Sequence, residues 1–85
     1  MKDKYIIDSA EESARLYFAK HPQENLNDEA LLARALQERE AFLEQAKKTE
    51  KRRPTLSQRI LYTETWQETY LDIKSVQNIA NLISE

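Results

Sequence analysis

Glycine and cysteine are both absent from this 85-residue chain. A backbone without glycine has little access to left-handed or tight-turn geometry, which disfavours β-hairpins and glycine-capped helix ends. Without cysteine there is no disulfide framework, no thiolate zinc site and no thiol nucleophile. Proline occurs only at positions 22 and 54, so Thr55 to Glu85 runs thirty-one residues without a breaker. His21 is the single histidine, which leaves no Glu-x-x-His pairs for a di-metal bundle. No apolar run approaches the ~18 residues that span a membrane, and the run in Met1–Asp8 is too short for a signal peptide. A cytoplasmic protein with no membrane contact is expected.

What is present is helical. Hydrophobic residues make up 40% and charged residues 33%, with a net charge of −2. That balance suits amphipathic helices in one domain spanning 1–85, and bulk charge does not suggest nucleic acid. Residues 1–8 read as an irregular lead-in. Ser9-Ala10-Glu11-Glu12 reads as a capping box opening a first helix over about 10–20, which Pro22 ends by disfavouring helical geometry at His21. Asn27 is an N-cap for a second helix over about 28–50, with Asp28 and Glu29 in its first turn. Pro54 ends it, and Thr55-Leu56-Ser57-Gln58 is a second capping box. The third helix covers about 56–83. Its seam is Ile60, Thr63, Trp66, Tyr70, Ile73, Val76, Ala80 and Ile83, close to the coiled-coil period.

The expected fold is therefore all-α. The second and third helices form a long antiparallel hairpin, about 33 and 40 Å long at ~1.5 Å per residue. The short first helix is expected at its open end, near 31–36 and 73–83. The closed end around Pro54 would be only two helices thick, too thin to bury Phe42, Leu61, Tyr62 and Trp66 together. Soluble monomers rarely leave such a patch open, so a dimeric bundle or a partner protein is expected there.

Charge and aromatics point to the same end. Residues 47–59 carry a local +5 from Lys47, Lys48, Lys51, Arg52, Arg53 and Arg59 against Glu50, whereas 1–46 carry −4 and 60–85 carry −3. Cations complement the end of the second helix and could also hold an anion. Tyr62, Trp66 and Tyr70 fall four residues apart, a ridge suited to a core seam or an interface. Glu64, Glu68 and Asp72 repeat at the same spacing, which costs a few tenths of a kcal/mol per pair and calls for ion pairs with Arg34 and Arg39.

Catalysis finds no support: no Gly-rich phosphate loop, no nucleophile–base set, no concave pocket in a narrow hairpin. No catalytic, cofactor or metal residue is assigned. The expected function is a non-enzymatic interaction or regulatory module, bacterial or phage in style. It would bind a partner protein, or a second copy as a homodimer, through Phe42, Leu61, Tyr62, Trp66, Lys51, Arg52, Arg53 and Arg59. The alternatives are a nucleic-acid-binding regulator using the 47–59 cluster on a dimer, and a self-assembling subunit or chaperone of a larger machine.

The run Pro54-x-x-Ser57-x-x-x-Leu61-Tyr62-x-Glu64-Thr65-x-x-Glu68 resembles a segment in the C-terminal helical region of the HflK branch of SPFH membrane proteins. It spans about fifteen of the 85 residues. The SPFH domain, the membrane anchor and the glycine-bearing strands have no counterpart here.

Overall fold

The computed structural model describes residues 1–49 and 53–84, which form three helices: α1 (Asp3–Lys20), α2 (Asp28–Thr49) and α3 (Leu56–Ser84). There is no strand among the described residues, and none of them takes a positive φ. Two helix starts follow from side chains placed to accept or return an amide bond. Ala30 N–H donates to Asn27 Oδ1 at 2.8 Å, which opens α2. At α3 the capping box closes in both directions. Gln58 N–H donates to Thr55 Oγ1 at 3.1 Å, and Thr55 N–H donates to Gln58 Oε1 at 3.0 Å.

The first helix departs from the sequence reading. It begins at Asp3 and not near residue 10, so 1–8 is not an irregular lead-in and Ser9 lies inside the helix. Lys2 provides no side-chain cap. Tertiary contacts stand in for one: Gln58 Nε2 donates to Met1 O at 2.6 Å and to Asp3 Oδ1 at 3.1 Å. Burial then carries the helix through. Ile6, Ala10 and Ala14 are each 0% exposed and recur every four residues, with Tyr17 completing the face. The local capping signal at Ser9 loses to this stripe, because burying an Ile contributes about 1.5–3 kcal/mol against about 1 for a cap.

The extra length changes the architecture. With 18 residues α1 is about 27 Å long. Its backbone packs mainly on α3, while Tyr5, Ser13 and Tyr17 reach α2 through their side chains. Its contacts advance along α3 in step: Met1 and Asp3 meet Gln58, Ser13 meets Trp66, Tyr17 and Phe18 meet Tyr70. Past the helix end, Lys74 Nζ and Gln77 Nε2 donate to Pro22 O at 3.3 and 3.5 Å. The first helix thus runs along α3 from Gln58 to Tyr70, and its last turn also reaches Arg34 of α2. Its small residues Ala10 and Ala14 make room for the bulky ridge on α3.

That ridge is the core. Tyr62, Trp66 and Tyr70 are 2%, 0% and 1% exposed. The Trp66 and Tyr70 rings stack at 5.8 Å and 4°, and Tyr17 tilts against Trp66 at 5.6 Å. Each polar edge is satisfied. Trp66 Nε1–H donates to Ser13 Oγ (3.1 Å), Ser13 Oγ–H donates to Glu38 Oε2 (3.2 Å), and Tyr70 Oη–H donates to Glu24 O (3.0 Å). The Trp66–Ser13–Glu38 chain ties α3 to α1 and α1 to α2. Later α2 residues meet earlier α3 residues: Phe42 stacks on Tyr62 at 4.9 Å, and Arg39 Nη1–H donates to Thr63 Oγ1 at 3.4 Å.

The ion pairs expected for Glu64, Glu68 and Asp72 with Arg34 and Arg39 do not form among the described residues. All three carboxylates are exposed, while Arg34 pairs with Glu38 at 3.7 Å and Arg39 with Glu40 at 3.9 Å. Water screens a solvent-facing ladder of like charges well enough that no partner is required.

Candidate functional site

The structure divides the residues expected to bind a partner into two groups. Tyr62 and Trp66 belong to the interior, with 2% and 0% exposure, because α1 roofs them. They cannot serve as exposed anchors in this fold. Phe42 and Leu61 are half-buried and packed against the same core, Phe42 between Tyr5 at 5.9 Å and Tyr62. Lys51 and Arg52 lie outside the described residues. Arg53 and Arg59 remain on the surface side, and a cleft brings them together.

This cleft sits where the end of α2 meets the start of α3. It has a volume of about 180 Å³ and is lined by Glu40, Leu43, Glu44, Ala46, Lys47, Arg53, Pro54 and Arg59. Ala46 and Pro54 are buried and form its base. The carboxylates already have partners: Glu44 pairs with Lys47, which lines the same cleft, at 3.7 Å, and Glu40 with Arg39 at 3.9 Å. Arg53 and Arg59 form no ion pair among the described residues. The Nε of Arg59 is buried without a hydrogen-bond partner, and so is the Nε of Arg39. Guanidinium groups without an ion pair, as those of Arg53 and Arg59 are among the described residues, favour an incoming oxyanion. On the same turns of α3, Leu56 and Ile60 are 71% and 47% exposed and supply apolar area that the sequence reading had assigned to Tyr62 and Trp66.

A second concavity, about 490 Å³, opens between α1 and α2, whose backbones both pack more closely on α3 than on each other. Tyr17, Phe42 and Tyr62 line it, Arg34 lies 4.8 Å above the Tyr17 ring, and the Ser13–Glu38 bond crosses it. Burial raises the Tyr17, Tyr62 and Tyr70 hydroxyls above their ordinary pKa, which removes them as bases near neutral pH. Among the described residues no group of three or more His, Cys, Asp or Glu is arranged to hold a metal ion. No helix among them is long and apolar enough to cross a membrane.

The signal that could have relocated the site is Ile6-Ala10-Ala14-Tyr17, a helical stripe that reaches upstream of the capping box. Read as a helix, it supplies the roof over Tyr62 and Trp66. No protein-family model matches this chain, and neither a curated protein nor a solved structure matches it.

Proposed function

We propose that this chain is a non-enzymatic helical interaction module of the cytoplasm that binds an acidic partner protein at the α2–α3 junction. The framework is an antiparallel hairpin of α2 and α3 braced by α1, as the opposed order of the Phe42–Tyr62 and Arg39–Thr63 contacts supports. The observation that carries the reading is the cleft that gathers Lys47, Arg53 and Arg59, the two arginines having no ion pair among the described residues. A partner carboxylate entering there supplies the ion pair that the chain itself does not give these two arginines. Leu56 and Ile60 add apolar contact, and the surrounding cations steer the encounter, which makes the on-rate depend on salt. The dimer expected at this end has lost its drive there, since the aromatic ridge is already covered.

The local +5 of residues 47–59 also fits a nucleic-acid regulator. The two readings separate in one experiment: affinity capture with wild type beside an Arg53→Glu, Arg59→Glu double variant, read by mass spectrometry with and without nuclease. The protein reading expects an acidic partner that survives nuclease, is lost in the variant, and rebinds in purified form. Loss of all capture on nuclease treatment, with steep log-linear salt dependence, supports the nucleic-acid reading. Equal capture by the variant refutes both.

A further inference from the structure

The far end of α3 is built differently from the rest of the chain. Residues 75–84 contain no ionisable side chain, although 33% of all residues are charged. Gln77 Nε2 donates to Pro22 O near the start of this segment. Within it Val76, Ile79, Leu82 and Ile83 are 66%, 55%, 74% and 79% exposed. Val76, Ile79 and Ile83 stand at i, i+3 and i+7, with Ala80 between, which makes one stripe. Val, Ile, Asn and Ser are poor helix formers, and this stretch has no i,i+4 ion pair to help it. Packing is what holds such a helix together.

We infer that the occupant of this stripe is a second copy of the chain, paired antiparallel through residues 75–84. Charge selects the partner and the direction. A stripe without charge meets its own copy without repulsion. Antiparallel pairing opposes the two helix dipoles and sends the two acidic bodies, each of net charge −1 over residues 1–74, to opposite ends, whereas parallel pairing would crowd both. The pairing places Val76 opposite Ile83 and Ile79 opposite Ala80, whose small side chain lets the helices approach. A longer overlap would draw the carboxylates of Asp72 and Glu68 into the seam. Four aliphatic side chains per copy fall short of the ~1,200 Å² of a standard interface, so the dimer is weak and concentration-dependent. It is independent of the acidic-partner reading, because it uses the opposite end of α3.

Sedimentation from dilute to millimolar concentration tests it, with Ile79→Glu and Arg59→Glu as paired variants and circular dichroism as the folding check. The expected result is a dimer in wild type and Arg59→Glu, weakened at least about tenfold in folded Ile79→Glu. Direction is read by disulfide formation, which is clean in a chain with no cysteine of its own. Ala80→Cys should link to itself, while Val76→Cys should link only when mixed with Ile83→Cys. A monomer at all concentrations would overturn the inference. So would a dimer unaffected by Ile79→Glu, self-linking of Val76→Cys, or binding of a monomeric chain to lipid vesicles through the stripe.

Discussion

Removing the Ser13 hydroxyl tests the one polar device that joins all three helices. Ser13 Oγ accepts from Trp66 Nε1 at 3.1 Å and donates to Glu38 Oε2 at 3.2 Å. In Ser13→Ala the indole N–H of a residue with 0% exposure loses its acceptor, and Glu38 keeps only its 3.7 Å contact with Arg34. A stranded buried donor costs about 1–3 kcal/mol. The groove beside Ser13 admits a water that can replace the hydroxyl, which places Ser13→Ala at the lower end, about 1–2 kcal/mol. Ser13→Val fills that space, excludes the water and should approach 3 kcal/mol, including about 0.5 from its poorer helix propensity. A chain of 85 residues has roughly 4–13 kcal/mol in all. At about 4–8 °C per kcal/mol, Ser13→Ala should melt roughly 4–16 °C below wild type. The assay is urea and thermal unfolding followed by circular dichroism. Ser9→Ala, one turn earlier on α1 and half-buried, is the control and should stay within about 0.5 kcal/mol. If Ser13→Ala and Ser13→Val both match Ser9→Ala, the Trp66–Ser13–Glu38 chain contributes nothing and the packing of α1 on α3 described above is wrong.

Other perturbations reach separate parts of the structure. Asn27→Ala removes the acceptor for Ala30 N–H and should cost about 1 kcal/mol, seen as a lower urea midpoint with an unchanged slope. Gln58→Ala removes the half of the α3 capping box in which Thr55 N–H donates to Gln58 Oε1, together with the clasp on Met1 and Asp3, so amide exchange should quicken in the first turns of α1 and α3 together. Burial raises Tyr17, Tyr62 and Tyr70 above their ordinary pKa near 10, so these groups hold protons in the folded state that the unfolded chain releases. Their stabilisation is complete below about pH 10 and falls as pH rises through the folded values. An alkaline titration of stability should show that decline, and Tyr70→Phe should make it shallower while losing about 0.5–1.5 kcal/mol at neutral pH with the Glu24 bond.

The sequence made the helices legible where chemistry is local. Asn27, the Thr55–Gln58 box and the two prolines mark their boundaries through interactions spanning three or four residues, and those boundaries hold within a residue or two. The start of α1 was not legible. Ser9 offers a sound cap, and nothing within reach of it reveals that Ile6 will be 0% exposed or that Gln58 will clasp the N-terminus from fifty-odd residues away. That single misreading had consequences. A helix starting near residue 10 cannot cover the bend, which turned Tyr62 and Trp66 into expected anchors. One starting at Asp3 covers it and makes them core. The cationic half of the expected site was legible as a charge cluster, but the cleft that gathers Lys47, Arg53 and Arg59 depends on how Pro54 turns the chain.

Quenching of the sole tryptophan gives the most direct measurement of whether α1 roofs the bend. In dilute solution, where self-association is absent, Trp66 should emit at short wavelength and resist acrylamide, and it should become accessible only when the chain unfolds in urea. Red-shifted emission from the folded chain, quenched as readily as free tryptophan, would contradict the account and return the aromatic ridge to the surface.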